Sequence, residues 1–375
     1  MGSILTETKP YPMETSDRVA QMGSIDAFQA VRDSVSSHKR GRVPLHKGQC
    51  PVTQGAAHIT QRQPTLHKGD IMRYYTVEID GAEKVAVSEN GKDLFILPQF
   101  ADMNDLIAKG GVAQIPEDAQ AAGKVVIPED AQAAGKVVIP EDAQAAGEDV
   151  KILSPIPRPK QDVLCLGINY AAHAVEADRF SREAFGGERP YPIFFSKRVN
   201  YSQGPDAGIP SYKGLVDSLD YECELGVIIG KDAFQVRKED VADYIFGYTI
   251  VNDVSARNLQ TRHKQWYFGK SLDGFTPMGP CIVTADEFAF PPKVGISCLV
   301  NGEVRQDSNT GNLIAGIAEI ISMLSEGMTL QAGTIIATGT PAGVGMGMVP
   351  PTFLKEGDVV ECRIEGIGVL RNVIC

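Results

Sequence analysis

The run DYECELGVIIG, residues 220 to 230, sets Glu222 and Glu224 two positions apart among apolar, β-prone residues. In a strand, side chains at i and i+2 share a face, so the two carboxylates would stand side by side. Buried like charges are costly unless a positive group lies between them. Downstream, GYTIVNDVSARNLQ is a strand-like run ending at Asp253. Two carboxylates on one strand face and a third at a strand end can make an all-oxygen site. Hard divalent ions such as Mg²⁺ and Mn²⁺ choose such ligands and keep positions open for water or substrate. The same spacing also fits an edge strand carrying two solvated glutamates.

Three further groups of residues could do chemistry. In GINYAAHAVEA, His173 and Glu176 stand three apart and would share a face of a helical turn. A histidine oriented by a carboxylate is a usual general base, although an incidental pair on a surface helix has the same spacing. In YFGKSLDGFTPMGP, Lys270 could bind a substrate carboxylate or an oxyanion, or be a solvated loop lysine. In ATGTPAGVGMG, Thr338, Gly339 and Thr340 could offer backbone N–H groups and a hydroxyl to a ligand, or form a tight structural turn. No G-K-[ST] closes that stretch, so it is not a phosphate-binding Walker loop.

These residues need a scaffold of strands. DVLCLGIN, PIFFSK, ECELGVIIG, IFGYTIVND, PCIVTADE, VGISCLVNGEV, TIIATGT and DVVECRIEGIGVLRNVI follow one another with Gly, Pro and Asp between them. One helix is expected, in TGNLIAGIAEIISMLSEG, with Leu313, Ile317, Ile320 or Ile321, and Leu324 at helical spacing and a stop at Gly327. So many strands with so few helices indicate a mainly β domain, a sandwich or irregular barrel. MRYYTVEIDG, a turn at DGAEK and VAVSENGKDLFIL add a strand pair near Met72. No G-x-G-x-x-G follows a strand to open a helix, so a dinucleotide fold has no support.

The rest of the chain bounds the reading. Lys plus Arg number 36 against 47 Asp plus Glu, a net charge of −11, which argues against a nucleic-acid surface. No apolar run reaches the length of a membrane span, and the first residues read as neither a secretory signal nor a transit peptide. The seven scattered cysteines are expected to be reduced thiols. The cytoplasm is therefore the expected compartment, with mitochondria as the alternative. Residues 1–71 are rich in Ser, Gln, Pro, Lys and His and are expected to be a disordered extension; VPLHKG and PTLHKG echo each other there. IPEDAQAAGKVV begins at Ile115 and Ile127, and IPEDAQAAG returns at Ile139. This reads as a tandem duplication in a connection spanning 111–150, since lengthening a loop costs little. A small β domain is expected over 72–110 and a catalytic domain over 151–375.

In their order, LGINYAAHAVEA, FFSK, DYECELGVIIG, GYTIVNDVSARNLQ, FGKSLDGFTPMGP, VNGEVRQDSNT, ISMLSEGMTLQAGTIIATGTPAGVG and LKEGDVVECRIEGIGVLRN resemble the fumarylacetoacetate hydrolase superfamily. The resemblance covers about residues 155 to 374, and more loosely 72 to 110. It implies a mainly β, α+β fold, the family's mixed β-sandwich roll, and a homodimer. Glu222, Glu224 and Asp253 match the family's metal-binding acids, which hold Mg²⁺ or Mn²⁺. His173 and Glu176 match the general-base pair on a lid, and Lys270 the substrate-facing lysine. Gln260 and Thr340 match polar pocket positions, to which Gly339 and Arg257 are added as candidate substrate contacts.

The resemblance also bounds the reaction. Family members cleave C–C bonds of acylpyruvates or related β-dicarbonyl acids; others decarboxylate, tautomerise or hydrate oxaloacetate-like 2-oxo acids. The leading expectation is a metal-dependent C–C hydrolase of an acylpyruvate, with a decarboxylase or tautomerase as the alternative and a metal-stabilised, non-catalytic binding scaffold as a third. Its partner is a small acid, with no nucleic acid and no membrane. Members acting on fumarylacetoacetate carry a further metal-binding Asp near the lid; here GINY supplies Asn169, so a three-carboxylate site is expected. Against that resemblance RFSREAFGGERPYP and Tyr201 in KRVNYSQGP look lineage-specific and are expected to shape the pocket, while residues 1–71 and the repeats have no family counterpart.

Overall fold

A computed structural model describes residues 72–112, 114–116, 124–126, 150–187 and 190–375, the side chains of 124–126 excepted. The expected disordered extension and most of the repeat segment lie outside the described residues. Within the first repeat copy, Lys124–Val126 is a short strand paired with Asp93–Ile96.

The strand-like runs fold into two large sheets. An eleven-stranded sheet has at its centre Cys223–Ile229, antiparallel to Ile245–Asn252 on one side and to Ile335–Ala337 on the other. Val163–Gly167 and Ile193–Lys197 extend it past Ile335–Ala337, and Met278–Thr284 past Ile245–Asn252. The expected N-terminal strands, Arg73–Ile79, Ala82–Ser88 and Asp93–Ile96, continue this same sheet, because Arg73–Ile79 pairs with Met278–Thr284. A five-stranded sheet runs Glu303–Asn309, Gly295–Val300, Val359–Ile364, Gly368–Ile374 and Gly208–Ile209.

Strand periodicity decides what each face meets. Leu225, Val227 and Ile229 point into the core shared with Ile296, Cys298, Val360, Cys362 and Leu370 of the smaller sheet. Ile228 points the other way, into a second core with Met103, Leu106 and Ile107 of the Met103–Ala108 helix. Glu222 and Glu224 share the parity of Ile228, so the sandwich core receives neither. This is a sheet-rich α+β sandwich with few helices among the described residues.

The expected long helix is shorter than its pattern. It spans Ile317–Ser325 and buries Ile317, Ile320, Ile321 and Leu324. Leu313 is not on it; that residue bridges to Tyr170. Asn169 explains the late start. Its Oδ1 accepts the Ala315 N–H at 2.7 Å, its Nδ2 donates to the Ala315 carbonyl at 3.0 Å, and its own carbonyl accepts the Ile314 N–H. Those backbone groups are spent on Asn169, so the α-helix does not extend back past Gly316, and only a single 3-10 turn, Thr310–Asn312, precedes it. None of the helices among the described residues is long and apolar enough to cross a membrane.

Candidate active site

The register of the central strands assembles the acids. Cys223 pairs with Asn252, the last residue of its strand. Asp253 follows, its N–H donating to the Glu222 carbonyl at 2.8 Å, while Asn252 Oδ1 accepts the Glu222 N–H at 3.1 Å. Ligand atoms of Glu222, Glu224 and Asp253 then lie within 4.8 Å of one another, all three residues buried.

The Gly-rich segment runs beside them. Thr338 and Thr340 donate their hydroxyls to the carbonyls of Leu225 and Cys223, at 2.9 and 3.0 Å. Gly339, between the two threonines, donates its N–H to Glu224 Oε2 at 2.7 Å. It has φ +98°, and a Cβ there would lie 2.7 Å from that of Asn169, so only glycine fits without strain. Asn169 uses its amide on the carbonyls of Ala315 and Thr338. It therefore ties the lid's base to the Gly-rich segment.

Three cations close on the acids. Lys270, on the short helix Tyr267–Lys270, donates to Glu222 at 2.7 Å and to Asp253 at 2.8 Å. Arg257, opening the helix Arg257–Arg262, reaches Glu222 at 2.7 Å through Nη1 and Asp220 at 2.9 Å through Nε. Lys197 is paired with Asp253 and donates to the Val254 carbonyl at 3.0 Å. Asp220 also accepts the N–H groups of Gly345 and Met346 at 2.7 and 3.0 Å, fastening that loop to Arg257.

Four buried carboxylates (Asp220, Glu222, Glu224 and Asp253) thus face three buried cations (Lys197, Arg257 and Lys270), a deficit of one positive charge. The deficit falls on Glu224, which forms no ion pair among the described residues. Burial, then Asp253 and Glu222, push its carboxyl well above the usual range. For Glu222 burial acts upward too, but Lys270 and Arg257 outweigh it and hold its carboxyl below that range. Burial likewise lowers Lys197, while for Lys270 the nearby Asp253 and Glu222 overcome burial and raise it. A divalent cation fits this donor set: all its ligands would be hard oxygens, and with all four carboxylates ionised it would turn a net charge of −1 into +1. That field would draw an anionic substrate despite the acidic chain.

The segment expected to be a lid is the helix Ala171–Phe180. Glu176 accepts the Gly343 N–H through both oxygens at 3.0 Å, which docks the lid on the glycine loop. His173 Nδ1 lies 3.5 Å from Glu176 Oε2. His173, Glu222, Glu224, Arg257, Gln260, Lys270 and Thr340 line one narrow cavity, its remaining walls including Ile168, Phe185, Phe195, Trp266 and Met346. Gln260 accepts from Arg257 Nη1 at 3.1 Å.

Most of the expected site residues therefore meet around this cavity. Tyr201 does not. It is 37% exposed and stacks under the Arg158 guanidinium, 5.0 Å from ring centroid to Cζ, so it cannot shape the pocket. The other expected shaping segment does contribute, through Phe185. Asp220 and Lys197 were not singled out from sequence. Asp220 is two residues before Glu222, a spacing that could have flagged it. Nothing local marks Lys197, whose partner lies 56 residues away.

Residues 162–375 match the family described as fumarylacetoacetate (FAA) hydrolase, C-terminal. Oxaloacetate tautomerase YisK of Bacillus subtilis strain 168 is 46% identical over 226 residues, covering 60% of this chain and 73% of that one. An uncharacterized protein of Staphylococcus aureus strain USA300 is 43% identical over 226 residues, 60% of this chain and 72% of its own. Among solved structures, fumarylacetoacetate hydrolase from Exiguobacterium antarcticum superposes with a TM-score of 0.65 at 36% identity, over 81% of this chain and 99% of that one. A 2-hydroxyhepta-2,4-diene-1,7-dioate isomerase from Mycobacterium marinum gives 0.54 at 27%, over 81% and 98%.

Proposed function

The chain belongs to the fumarylacetoacetate hydrolase family, and from that premise we propose that it is a divalent-metal-dependent enzyme catalysing keto–enol tautomerisation of oxaloacetate-like 2-oxo acids. The observation that carries this reading is the cavity that brings His173 together with Glu222, Glu224, Arg257 and Lys270. The 46% identity to an oxaloacetate tautomerase supports the choice of substrate class.

Glu222, Glu224 and Asp253 would hold Mg²⁺ or Mn²⁺. When bound, the cation supplies Lewis-acid stabilisation of negative charge on the substrate oxygens. Lys270 and Arg257 add positive charge for the acid's carboxylates. His173, held by Glu176, takes the proton from C3, and that proton then returns to the carbonyl oxygen. Glu176 is itself fixed by the Gly343 N–H, which keeps the imidazole oriented. Ile168, Phe185, Phe195, Trp266 and Met346 keep bulk water off the exchanging proton.

The His173–Glu176 pair also favours a second reading, because the same base can activate water for C–C hydrolysis of an acylpyruvate. One assay separates the two: the decay of enol-oxaloacetate absorbance, run beside a panel of acylpyruvates, each with Mg²⁺ and with Mn²⁺. The tautomerase reading expects accelerated enol decay with little acylpyruvate cleavage. No acceleration with either metal would overturn it, and cleavage of an acylpyruvate in its place would establish the second.

A further inference from the structure

Trp266 lines the cavity but has no part in the proton transfer above. It precedes the helix Tyr267–Lys270 and stands four residues before Lys270, so the two side chains leave the same face of that turn. Lys270 reaches the acids. The Trp266 ring lies over Gly167, where any Cβ would collide with the indole. It meets Phe195 edge-on at a centroid distance of 5.3 Å and Phe185 at 5.6 Å.

Trp266 and Phe185 also line a second, more open groove, together with Pro190, Tyr191 and Ile193. None of the described residues that line it is charged. A chamber lined by charged residues and a groove whose described lining is uncharged therefore share a wall made of two aromatic rings.

We infer that Trp266 is a specificity-determining residue, the partition that confines the substrate to compact 2-oxo acids. Without the indole the two chambers become continuous, and a 2-oxo acid with an apolar substituent at C3 can lay that group in the outer groove. The inference rests on the proposed reaction for its substrate class, but the position of the wall does not. A pocket wall discriminates by contact, and each methylene gained or lost in an apolar pocket changes kcat/KM by about 10–200-fold.

The chain contains a single tryptophan, so its emission reports this residue alone. The Mg²⁺-loaded full-length protein is titrated with oxalate, a non-reacting analogue of a 2-oxo acid, while calorimetry follows binding independently. A saturable change in emission is expected. Binding seen by calorimetry with no change in emission would overturn the inference without any variant being made. Trp266→Ala and Trp266→Phe are then compared with wild type on 2-oxo acids bearing hydrogen, methyl, propyl or phenyl at C3. Trp266→Ala should shift the kcat/KM ratio towards the phenyl compound by about tenfold or more, with Trp266→Phe between it and wild type. A ratio within about twofold of wild type in a folded Trp266→Ala protein would also overturn it. If wild type turns over none of these acids while oxalate still shifts the emission, the proposed reaction fails and the wall stands.

Discussion

Glu224 accepts the backbone N–H of Gly339 at 2.7 Å and pairs with no cation among the described residues, although Glu222, one residue before the strand that carries Glu224, is clasped by both Lys270 and Arg257. Two carboxylates that look equivalent in sequence are thus electrostatically opposite. One is satisfied by protein cations, and the other is left for a proton or a metal.

That asymmetry predicts a pH dependence. A carboxyl whose pKa is higher in the folded chain than in the unfolded one keeps a proton that the unfolded chain sheds. Its contribution to stability is complete below the ordinary carboxyl value and is lost as pH rises towards the raised one. A bound cation takes the proton's place. The gain in Tm from saturating Mg²⁺ should therefore grow as pH rises above the ordinary carboxyl range, and cation binding should release protons. A gain that is flat or shrinks with pH would contradict the assignment of the proton to Glu224.

His173→Ala should lower the tautomerisation rate by roughly 10²–10⁴-fold, the contribution of a positioned general base, with cation affinity unchanged. Glu176→Gln should do the same more weakly, because it misorients the ring without removing it. Oxaloacetate decarboxylation, which needs an electron sink but no base, should be far less affected in both variants. Steady-state kinetics on both reactions check this; an unaffected tautomerisation rate would move the base elsewhere. His263, the other histidine among the described residues, is exposed against Phe268 and is not in the cavity.

Gly339→Ala tests the backbone contact. At φ +98° and 2.7 Å from the Asn169 Cβ, the added methyl has no room. The substitution should cost about 1–3 kcal/mol, or about 2–4 °C of Tm for each kcal/mol. Cation affinity should fall as well, because the N–H that fixes Glu224 moves. A thermal melt and a cation titration on the same sample read both effects.

Much of this was legible in the sequence because it is local. The period of two in a strand puts Glu222 and Glu224 on one face whatever the strand pairs with, and three-residue spacing puts His173 beside Glu176. What stayed hidden is tertiary. Lys197 meets Asp253 only because two distant strand ends converge, and Tyr201 faces Arg158 instead of the cavity because of how its loop turns. Leu313 kept helical spacing but lost the helix, since Asn169 consumes the backbone groups that would have extended it. The fate of Glu224 was hidden for the same reason, as charge balance depends on which lysines arrive from elsewhere in the chain.

The central claim is that Glu222, Glu224 and Asp253 hold a catalytic divalent cation. Its most direct test is calorimetric titration of Mn²⁺ into EDTA-treated protein, with Glu222→Gln and Glu224→Gln measured alongside wild type. The account predicts one cation per chain in wild type and an affinity weakened by at least about 10–100-fold in each variant, with activity lost to EDTA and restored by Mn²⁺ or Mg²⁺. Unchanged stoichiometry and affinity in both variants would contradict it.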